Sequence, residues 1–437
     1  MLDRLLFELP DNVDKDKYIL ATYYVAGKRS IDSLKYAAAL AVEQSTGTWL
    51  PVPEETPELR EKHTARVIGI YEVPNYSWEL PENVSERQFI IRIAFPTVNF
   101  TVQFAMLFTT VMGNISSSGK VKLLDLEFPE SWLKSLQGPK FGVEGVRKLL
   151  NVPERPLVNN MIKPCTGLTP EVTARLAYKV AVGGTDIVKD DELIADAEYS
   201  AVEDRVKKVM EILKRADEEK GEKTLYAVNI TDRVDKLKEN AFKCLEAGAN
   251  CLMVNYFTIG FDAVRMLTEN PDINVPILAH PDFVGAVYES MWFGISAELI
   301  KVKLPRLAGL DMGIVFSSYG KFPLIEDKFK QCCLAHLSPL KNIKRSWPMI
   351  GGGTHPGHTQ KLMEQLGNDI IIAAGGAIHG HPMGPTAGAK AFRQAIEVVM
   401  SGQCLKEAKG QFKELDAALD KWGLFGEQKN IFDLKAD

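Results

Sequence analysis

From residue 157 onward, short apolar runs alternate with amphipathic segments of helical length, and this rhythm limits what the chain can fold into. The apolar runs are strand candidates, and there are eight: 158–162, 186–188, 225–230, 251–255, 276–279, 312–316, 348–351 and 370–374. The segments between them have the spacing of covering helices, as in 170–182, 201–218, 234–247 and 357–366. Because repeated strand–helix units produce parallel strands, eight of them predict a (β/α)8 barrel.

The region before the barrel alternates less regularly. Strand candidates lie at 18–25, 64–73, 87–95 and 121–128, and helix candidates lie at 31–44 and 102–111. This order predicts a compact α+β domain of ferredoxin-like type with its helices on one face of the sheet. A stretch containing Gly and Pro, 139–156, marks the join and includes a short predicted helix. We therefore expect an N-terminal α+β domain over residues 1–142 and a barrel with C-terminal helices over 143–437.

The composition argues against several classes of protein. The chain has 437 residues and a formal net charge of −5, so no strong basic field indicates nucleic acid or an anionic membrane as a partner. It has no run of about 18 apolar residues and no basic N-terminal region followed by an apolar run, so neither a membrane span nor a signal peptide is expected. Six cysteines without CxxC spacing suit a reducing compartment. We expect a cytoplasmic protein without nucleic acid or membrane partners.

The second predicted barrel strand ends in four consecutive ionisable residues, Lys189, Asp190, Asp191 and Glu192. Carboxylates in one small volume provide the oxygen ligands that hard cations such as Mg²⁺ prefer. An ammonium repels a metal ion, so the lysine either offsets excess negative charge or is converted into an anion. The alternative is a strand end followed by a helix cap, with Asp190 or Asp191 accepting from the first free N–H groups. These residues alone favour neither interpretation.

Polar residues also follow most of the remaining predicted strands. In a (β/α)8 barrel the chemistry lies at the carboxyl ends of the strands, so we expect these residues to converge on one mouth. They are Lys163 and Cys165 after the first strand, Asn229 and Thr231 after the third, His280 after the fifth, Lys321 after the sixth, and glycine runs after the seventh and eighth.

The two glycine runs predict an anion site. Glycines let backbone N–H groups approach an anion closely, and a helix N-terminus after each run would add a favourable dipole. Because barrels of this kind often bind a phosphate there, the runs and Lys321 together predict a phosphate site. Tight turns between strand and helix are the alternative explanation. The runs consist of Gly351, Gly352 and Gly353, and of Gly375 and Gly376.

Several side chains at the predicted mouth are candidates for proton transfer or for the wall of the site. Lys163 ends an apolar strand, and beside a metal ion or another cation its pKa could fall, making it a proton carrier. His280 either contacts the substrate, as hydrogen-bond partner, acid or base, or is a structural histidine. Cys165 has no evident base, so we expect a small polar wall residue. The histidines near the last two strands lack the HExxH spacing of a zinc site, and His355 is the one expected to face a substrate.

Several stretches together carry a resemblance to a known family, namely 43–49, 113–114, 137–139, 162–164, 183–192, 320–321, 351–353, 375–376 and 380–382. They resemble the large subunit of ribulose bisphosphate carboxylase, the RuBisCO superfamily, and the likeness runs through nearly the whole sequence. The resemblance implies the fold predicted above and a homodimer, or a larger assembly of dimers, in which each site borrows the partner's N-terminal domain. It also implies that CO₂ carbamylates Lys189, which becomes the third anionic Mg²⁺ ligand beside Asp191 and Glu192.

The resemblance assigns roles to further residues. Glu43, Thr48, Trp49 and Asn114 would reach the site from the neighbouring subunit. Lys163, His280 and Asn114 would act in catalysis beside Lys189. One phosphate would be held by residues of both domains, namely Thr48, Trp49, Lys321, Gly353, Gly375 and Gly376, with Gly351 and Gly352 in the same glycine motif.

Four departures from the carboxylase pattern bear on the function. The carboxylases carry a second lysine where this chain has Cys165, an arginine at Pro281, a histidine at about Ile314 and a serine at Gly351. The lost arginine, histidine and serine form the second phosphate site, and without them a bound dianion loses charge-assisted hydrogen bonds. The resemblance therefore implies a RuBisCO-like protein whose small-molecule substrate carries one phosphate.

The expected activity is Mg²⁺-dependent enolisation of a monophosphorylated ketone, with an enolase, isomerase or decarboxylase outcome. The base would be Lys163 or the carbamate on Lys189. A second candidate is the 2,3-diketo-5-methylthiopentyl-1-phosphate enolase of methionine salvage, although such enolases carry a lysine base where this chain has Asn114, and Lys120 is close by in sequence. A working carboxylase is a third candidate, and a non-catalytic regulatory relative is a fourth.

Overall fold

The computed structural model describes residues 3–48, 50 and 52–426. The chain divides into two compact units. The first spans Met1–Leu136 and Phe283–Ile300, and the second spans Gln137–Asp282 and Lys301–Asp437. Within the described ranges, no helix is both long enough and apolar enough to cross a membrane.

Strands and helices alternate along the chain. The strands, β1 to β13 in chain order, are Tyr18–Lys28, Arg66–Glu72, Glu86–Pro96, Val121–Glu127, Leu157–Met161, Ile187–Lys189, Leu225–Asn229, Cys251–Asn255, Ile277–His280, Gly294–Ile295, Met312–Phe316, Trp347–Gly351 and Ile371–Ala374. The longer α-helices are Ser33–Glu43, Pro57–His63, Phe104–Val111, Glu130–Ser135, Gly142–Leu150, Pro170–Val182, Val202–Lys220, Val234–Glu246, Phe261–Thr268, Glu326–Leu337, Thr359–Leu366, Pro385–Met400 and Lys413–Trp422. Four one-turn helices are Tyr256–Ile259, Gly285–Tyr288, Leu304–Leu307 and Gly376–His379.

The first unit is built on a five-stranded sheet with the strand order β10-β4-β1-β3-β2. Its four long strands pair antiparallel, with β1 between β3 and β4. The buried hydroxyl of Tyr23 on β1 donates to Val111 O at 2.6 Å, which fixes the helix Phe104–Val111 to the sheet. The strand β10 pairs parallel with β4. The strand β10 is not among the strands predicted from the sequence, because a two-residue strand has no periodicity to detect.

The second unit contains a closed barrel of eight parallel strands in the order β5-β6-β7-β8-β9-β11-β12-β13, and β13 pairs back with β5. The predicted order of an α+β domain followed by a (β/α)8 barrel is confirmed. Every residue of β7, β8 and β12 is buried, as expected for parallel strands that are covered on both faces. The eight predicted barrel strands agree with the observed bounds to within one residue at either end.

Two glycines before β6 position the strand that carries the charged run. Gly184 has a φ of +104°, a conformation that residues with a Cβ rarely adopt. A Cβ on Gly183 would lie 2.5 Å from Thr386 O, so a larger residue would push away the helix Pro385–Met400. This close contact fixes the point from which β6 runs toward the mouth of the barrel.

A buried carboxylate ties together elements at the opposite ends of the strands. Asp311 directly precedes β11, and its Oδ1 accepts from the backbone N–H groups of Phe141 and Gly142, both at 2.8 Å. Its Oδ2 accepts from Ile277 N at 2.9 Å. Burial raises the pKa of Asp311 to about 6, although the three backbone hydrogen bonds act in the opposite direction.

This raised pKa predicts a pH dependence of stability. The folded state holds a proton on Asp311 that the unfolded state has already lost between about pH 4 and pH 6, so stability falls as the pH rises through this range. The contribution is on the order of 2–3 kcal/mol. Asp311→Asn should remove this slope. Between pH 4.5 and pH 7 the thermal midpoint of the unmodified protein should therefore fall relative to that of the variant. Asp272→Asn, at an exposed aspartate, is the control, and equal slopes in all three proteins would contradict the prediction.

Candidate active site

A cavity of about 540 Å³ lies at the carboxyl ends of the barrel strands. Its lining brings together most of the barrel residues that the sequence predicted at the mouth, whereas Cys165, Asn229 and Thr231, which were also expected there, do not line it. Those that line it come from the exits of six different strands, so the rule that polar strand ends share one mouth accounts for the arrangement. These residues are Lys163, Lys189, Asp191, Glu192, His280, Lys321, Gly351, Gly352, Gly353, Gly375 and Gly376.

Two lysines and two carboxylates form a charged cluster at the exits of β5 and β6. Lys189 is completely buried, and its Nζ donates to Asp190 O at 2.8 Å and to Glu192 Oε2 at 3.1 Å. The Nζ of Lys163 donates to Asp191 Oδ2 at 2.5 Å. Each lysine therefore contacts a different carboxylate of the run.

Lys163 is held as a cation. Burial lowers the pKa of its ammonium, but the hydrogen bonds to Asp191 and to the Cys165 sulfur, at 2.9 Å, together raise it above its ordinary value. The sequence-based expectation of a lowered pKa assumed a metal ion or a cation as neighbour, whereas the structure places a carboxylate there. Cys165 is thus a direct hydrogen-bond partner of Lys163, a contact that its position two residues away did not reveal.

Glu192 and His280 form a second hydrogen-bonded pair. Their Oε2 and Nε2 atoms are 3.2 Å apart. Burial by itself would raise the pKa of Glu192, but the hydrogen bond from His280 and the charge of Lys189 hold it well below its usual range. Burial and the Lys189 charge lower the pKa of His280 against the opposing effect of Glu192. The imidazole is therefore neutral near pH 7, and its buried Nδ1 has no hydrogen-bond partner within the described ranges.

The side chains of Lys189, Asp191 and Glu192 fit Mg²⁺ as ligands under one chemical condition. Among the residues that the structure describes, no group of three or more His, Cys, Asp and Glu side chains is arranged to hold a metal ion. Asp191 and Glu192 provide two anionic oxygen ligands, and the third candidate is Lys189. Its ammonium cannot bind a cation, whereas a carbamate on the same nitrogen would add oxygen ligands beside Glu192. The set therefore fits Mg²⁺ if Lys189 carries a carbamate.

The glycine run after β12 is shaped by a neighbouring loop. Gly352 and Gly353 have φ values of +91° and +110°, which favour glycine. The backbone N–H of Lys321 donates to Gly352 O at 2.6 Å. A Cβ on Gly320 would overlap this carbonyl at 1.9 Å, so the loop that follows β11 reaches the turn only because glycine is present. Lys321 is thereby placed beside the glycine run.

The glycine run after β13 makes room for Lys163. A Cβ on Gly375 would lie 2.9 Å from Lys163 Cε. Gly376 begins a helix of a single turn, Gly376–His379, and a 3₁₀ turn, Pro356–His358, follows the first glycine run. The 3₁₀ turn continues directly into the helix Thr359–Leu366, so a longer helix follows the first run, whereas only one helical turn follows the second. Backbone N–H groups and Lys321 complete the set of anion-binding groups.

Part of the cavity wall was not found from the sequence. Phe316, Phe322 and Met161 line it, together with Lys421 and Trp422 at the end of the last described helix, Lys413–Trp422. Lys421 Nζ donates to Gly380 O at 2.6 Å, which ties this helix to the loop after β13. No local signal marks these two residues, because they reach the mouth only through long-range packing.

The remaining histidines near the last strands are mostly buried. His355 lines the cavity as expected, and its ring lies 3.7 Å from that of His358. Burial lowers the pKa of His355 to about 4, so this side chain is neutral near pH 7.

Two of the candidate site residues in the first unit are in direct contact. Asn114 Nδ2 donates to Glu43 Oε1 at 2.9 Å. Thr48 Oγ1 donates to Thr46 O at 3.2 Å, and Trp49 lies outside the described residues. Lys120 is close to Asn114 in sequence and is a candidate for the lysine base of a salvage enolase. It forms an ion pair with Glu86, and its Nζ lies 4.3 Å from the centre of the Trp292 ring.

Two family models match the chain. The model of the ribulose bisphosphate carboxylase large chain, N-terminal domain, matches residues 8–132. The model of the ribulose bisphosphate carboxylase large chain, catalytic domain, matches residues 142–422. The two matches follow one another in the same order as the α+β unit and the barrel.

Individual relatives cover almost the whole chain. A ribulose bisphosphate carboxylase-like protein from Archaeoglobus fulgidus is 52% identical over 90% of this chain and 90% of its own. A 2,3-diketo-5-methylthiopentyl-1-phosphate enolase from Bacillus velezensis is 40% identical over 93% of this chain and 98% of its own.

Solved structures show the same architecture. A rubisco-like protein from Alicyclobacillus acidocaldarius superimposes with a TM-score of 0.85 at 37% identity and covers 93% of this chain and 100% of that chain. A dimeric archaeal Rubisco from Hyperthermus butylicus has a TM-score of 0.85 at 29% identity and covers 96% of this chain and 99% of its own.

Proposed function

The chain belongs to the ribulose bisphosphate carboxylase large-chain family as a RuBisCO-like protein, and from this premise we propose that it is a Mg²⁺-dependent enzyme that enolises a ketone carrying one phosphate. One observation carries the proposal: a single cavity holds the Lys189, Asp191 and Glu192 cluster together with the two glycine runs and Lys321. Such a cavity offers a metal corner and an anion corner to the same small molecule.

The metal corner would consist of Asp191, Glu192 and the carbamate of Lys189. A bound Mg²⁺ supplies Lewis-acid polarisation of a carbonyl oxygen and stabilises the negative charge that proton removal leaves on it. His280 Nε2 donates to Glu192 and so fixes that carboxylate in place.

Proton transfer would involve Lys163 or the carbamate of Lys189. Lys163 contacts Asp191, and this contact raises the pKa of the ammonium against the effect of burial, which suits a proton donor. To act as the base, Lys163 would first have to lose its proton, and the ion pair with Asp191 opposes this loss. The carbamate needs no such step.

The anion corner supports one phosphate rather than two. Lys321 and the backbone of the glycine runs offer donors for a single dianion. At the positions where the carboxylases bind their second phosphate, this chain has Ile314, Pro281 and Gly351, and the first and last of these line the cavity beside Phe316 and Phe322. A dianion placed against this apolar wall would lose hydration without gaining charge-assisted hydrogen bonds. This argues against a working carboxylase.

The second candidate is 2,3-diketo-5-methylthiopentyl-1-phosphate enolase, because a relative bearing that name, from Bacillus velezensis, is 40% identical over 93% of this chain. Its substrate carries one phosphate and a methylthio end, which suits the apolar wall. Asn114 argues against this candidate, because the family resemblance implies a lysine at this position in the salvage enolases.

We further propose that the protein works as a homodimer, or a larger assembly of dimers, in the cytoplasm. The dimeric Rubisco from Hyperthermus butylicus supports the assembly by its likeness. Glu43, Thr48, Trp49 and Asn114 would then complete the site of the partner subunit.

Exchange of the proton next to the carbonyl tests the function directly. The protein is incubated in D₂O with monophosphorylated ketones, among them 2,3-diketo-5-methylthiopentyl-1-phosphate, with and without Mg²⁺ and bicarbonate. The proposal expects deuterium incorporation that requires both additions. Incorporation without the two additions would show that the reaction needs neither metal nor carbamate and would overturn the Mg²⁺-dependent mechanism. Absence of incorporation with every candidate would favour a regulatory role, and fixation of ¹⁴CO₂ with ribulose bisphosphate would establish a carboxylase.

Lys321→Ala should raise the KM for the phosphorylated substrate by roughly 10- to 100-fold, because a charge-assisted hydrogen bond is lost. The thermal midpoint should not change, since the lysine is exposed. Steady-state kinetics measure the effect, with Lys328→Ala on the following helix as the matched control. An unchanged KM in Lys321→Ala would remove this lysine from the anion corner.

A further inference from the structure

Asp190 lies between two candidate metal ligands but does not line the cavity. Its backbone N–H continues the sheet by donating to Ala227 O at 3.1 Å. Because successive side chains of a strand point to opposite faces, Asp190 points away from the mouth while Lys189 and Asp191 point into it. Its carboxylate is 2% exposed and has no role in the proposed chemistry.

Three groups hold the Asp190 carboxylate. Oδ1 accepts from the Tyr226 hydroxyl at 2.6 Å, and Oδ2 accepts from Asn229 N and from Arg205 Nε, both at 3.1 Å. Tyr226 and Asn229 belong to β7, and Arg205 belongs to the helix Val202–Lys220. The carboxylate is therefore fixed from the neighbouring strand and from the covering helix together.

Arg205 extends this connection to the loop after β6. Its side chain is completely buried, and it donates to Ser200 O at 2.5 Å and to Ala195 O at 3.5 Å. The same loop is held from inside the barrel, where Asn229 Nδ2 donates to Ile194 O at 2.8 Å. The backbone on both sides of Glu192 is therefore tied to fixed elements.

Stability alone does not account for the ion pair of Asp190 and Arg205. Taking two charges out of water costs several kcal/mol per ion, and replacing such a buried pair by apolar residues is often neutral or stabilising. A fixed carboxylate has another effect, because it sets the orientation of the backbone from which the flanking side chains project.

We propose that Asp190, held by Arg205 and Tyr226, is a positioning residue that aims Lys189 and Asp191 into the cavity before CO₂ and Mg²⁺ bind. This inference rests on the proposed metal site. The hydrogen-bond network around Asp190 would thus orient the metal ligands before the metal binds. In other metal sites, residues that hydrogen-bond to the ligands orient them in the same way, and loss of such residues weakens metal binding by roughly 10- to 100-fold.

The double variant Asp190→Leu/Arg205→Met removes both charges together and tests the proposal without leaving one unpaired. The measurements are the thermal midpoint, the carbamate signal in ¹³C NMR with ¹³C-labelled bicarbonate, and the affinity for Mn²⁺ by electron paramagnetic resonance, with Mn²⁺ as the probe for a hard divalent ion. The expected result is a midpoint near that of the unmodified protein with a weaker carbamate signal and a Mn²⁺ affinity lower by roughly 10- to 100-fold.

A matched control lies at the opposite end of the same strand. Asp186 is also completely buried and pairs with Arg155 at 2.7 Å, but neither residue lines the cavity. Asp186→Leu/Arg155→Met should leave Mn²⁺ affinity unchanged. Tyr226→Phe, which removes one hydrogen bond to Asp190 and no charge, should lower the affinity several-fold and keeps the test valid if the double variant does not fold.

The outcomes separate this inference from the proposed function. If the unmodified protein forms a carbamate and binds Mn²⁺, and Asp190→Leu/Arg205→Met and Tyr226→Phe do so equally well, the positioning role is wrong and the metal site stands. Equal losses in the Asp186→Leu/Arg155→Met control would also overturn it, because the effect would then be one of general packing. If the unmodified protein forms no carbamate and binds no Mn²⁺, both proposals fail together.

Discussion

Replacing Lys189 with alanine is expected to lower turnover by more than the ~10²–10³-fold that the loss of one transition-state donor costs. Under the proposal, the variant loses the carbamate and with it one of three anionic ligands, so Asp191 and Glu192 alone would hold Mg²⁺ weakly. Steady-state kinetics across a range of Mg²⁺ concentrations measure the loss. The carbamate signal in ¹³C NMR should disappear in the same variant.

Two control variants define what the Lys189 result means. Lys189→Arg keeps a cation at the buried position but offers no amine for carbamylation, so it should be as inactive as the alanine variant. Lys207→Ala removes an exposed lysine that pairs with Glu203, and it should leave turnover unchanged. Full activity in either Lys189 variant would show that this cluster is not the reaction centre.

The second large effect is expected at Lys163. Lys163→Met should lower kcat by about 10²–10⁴-fold, the usual contribution of a positioned proton-transfer group, while changing KM much less. The methionine keeps the length of the side chain beside Gly375 but cannot carry the proton. The kcat of the exchange reaction in D₂O reports the affected step.

Arginine at the same position separates proton transfer from charge. Lys163→Arg preserves a cation beside Asp191, but a guanidinium does not release its proton in this pH range. We expect no rescue by arginine if Lys163 transfers a proton. Recovery of activity in Lys163→Arg would instead assign Lys163 a purely electrostatic role and leave the carbamate of Lys189 as the base.

The barrel could be predicted because its pattern is local. Each strand and its covering helix lie close together in sequence, so eight repeats of one short pattern define the closed sheet. The helix Pro57–His63 was missed although Thr56 caps it and Pro57 occupies its first position, since its seven residues include no buried apolar stripe. The strand Gly294–Ile295 could not be found, because its partner β4 is far away in sequence.

The site was predictable to the same degree and for the same reason. Residues at strand ends, such as Lys163, Lys189 and His280, could be placed at one mouth by the geometry of the barrel. The pairing of Lys163 with Asp191 could not be predicted, because periodicity does not specify which charged side chains meet. The partnership of Asp190 with Arg205 is of the same kind, since the two residues lie on a strand and on the helix that covers it.

The segment Phe283–Ile300 leaves the barrel between β9 and β11 and supplies β10 to the first unit. The polypeptide therefore passes from one unit to the other three times, after residues 136, 282 and 300. A fragment ending at Leu136 would lack β10 and expose an unpaired edge of β4, with the aggregation hazard that open sheet edges carry. Exchanging N-terminal domains between relatives by gene fusion would therefore mean exchanging two segments, joined at three junctions rather than one.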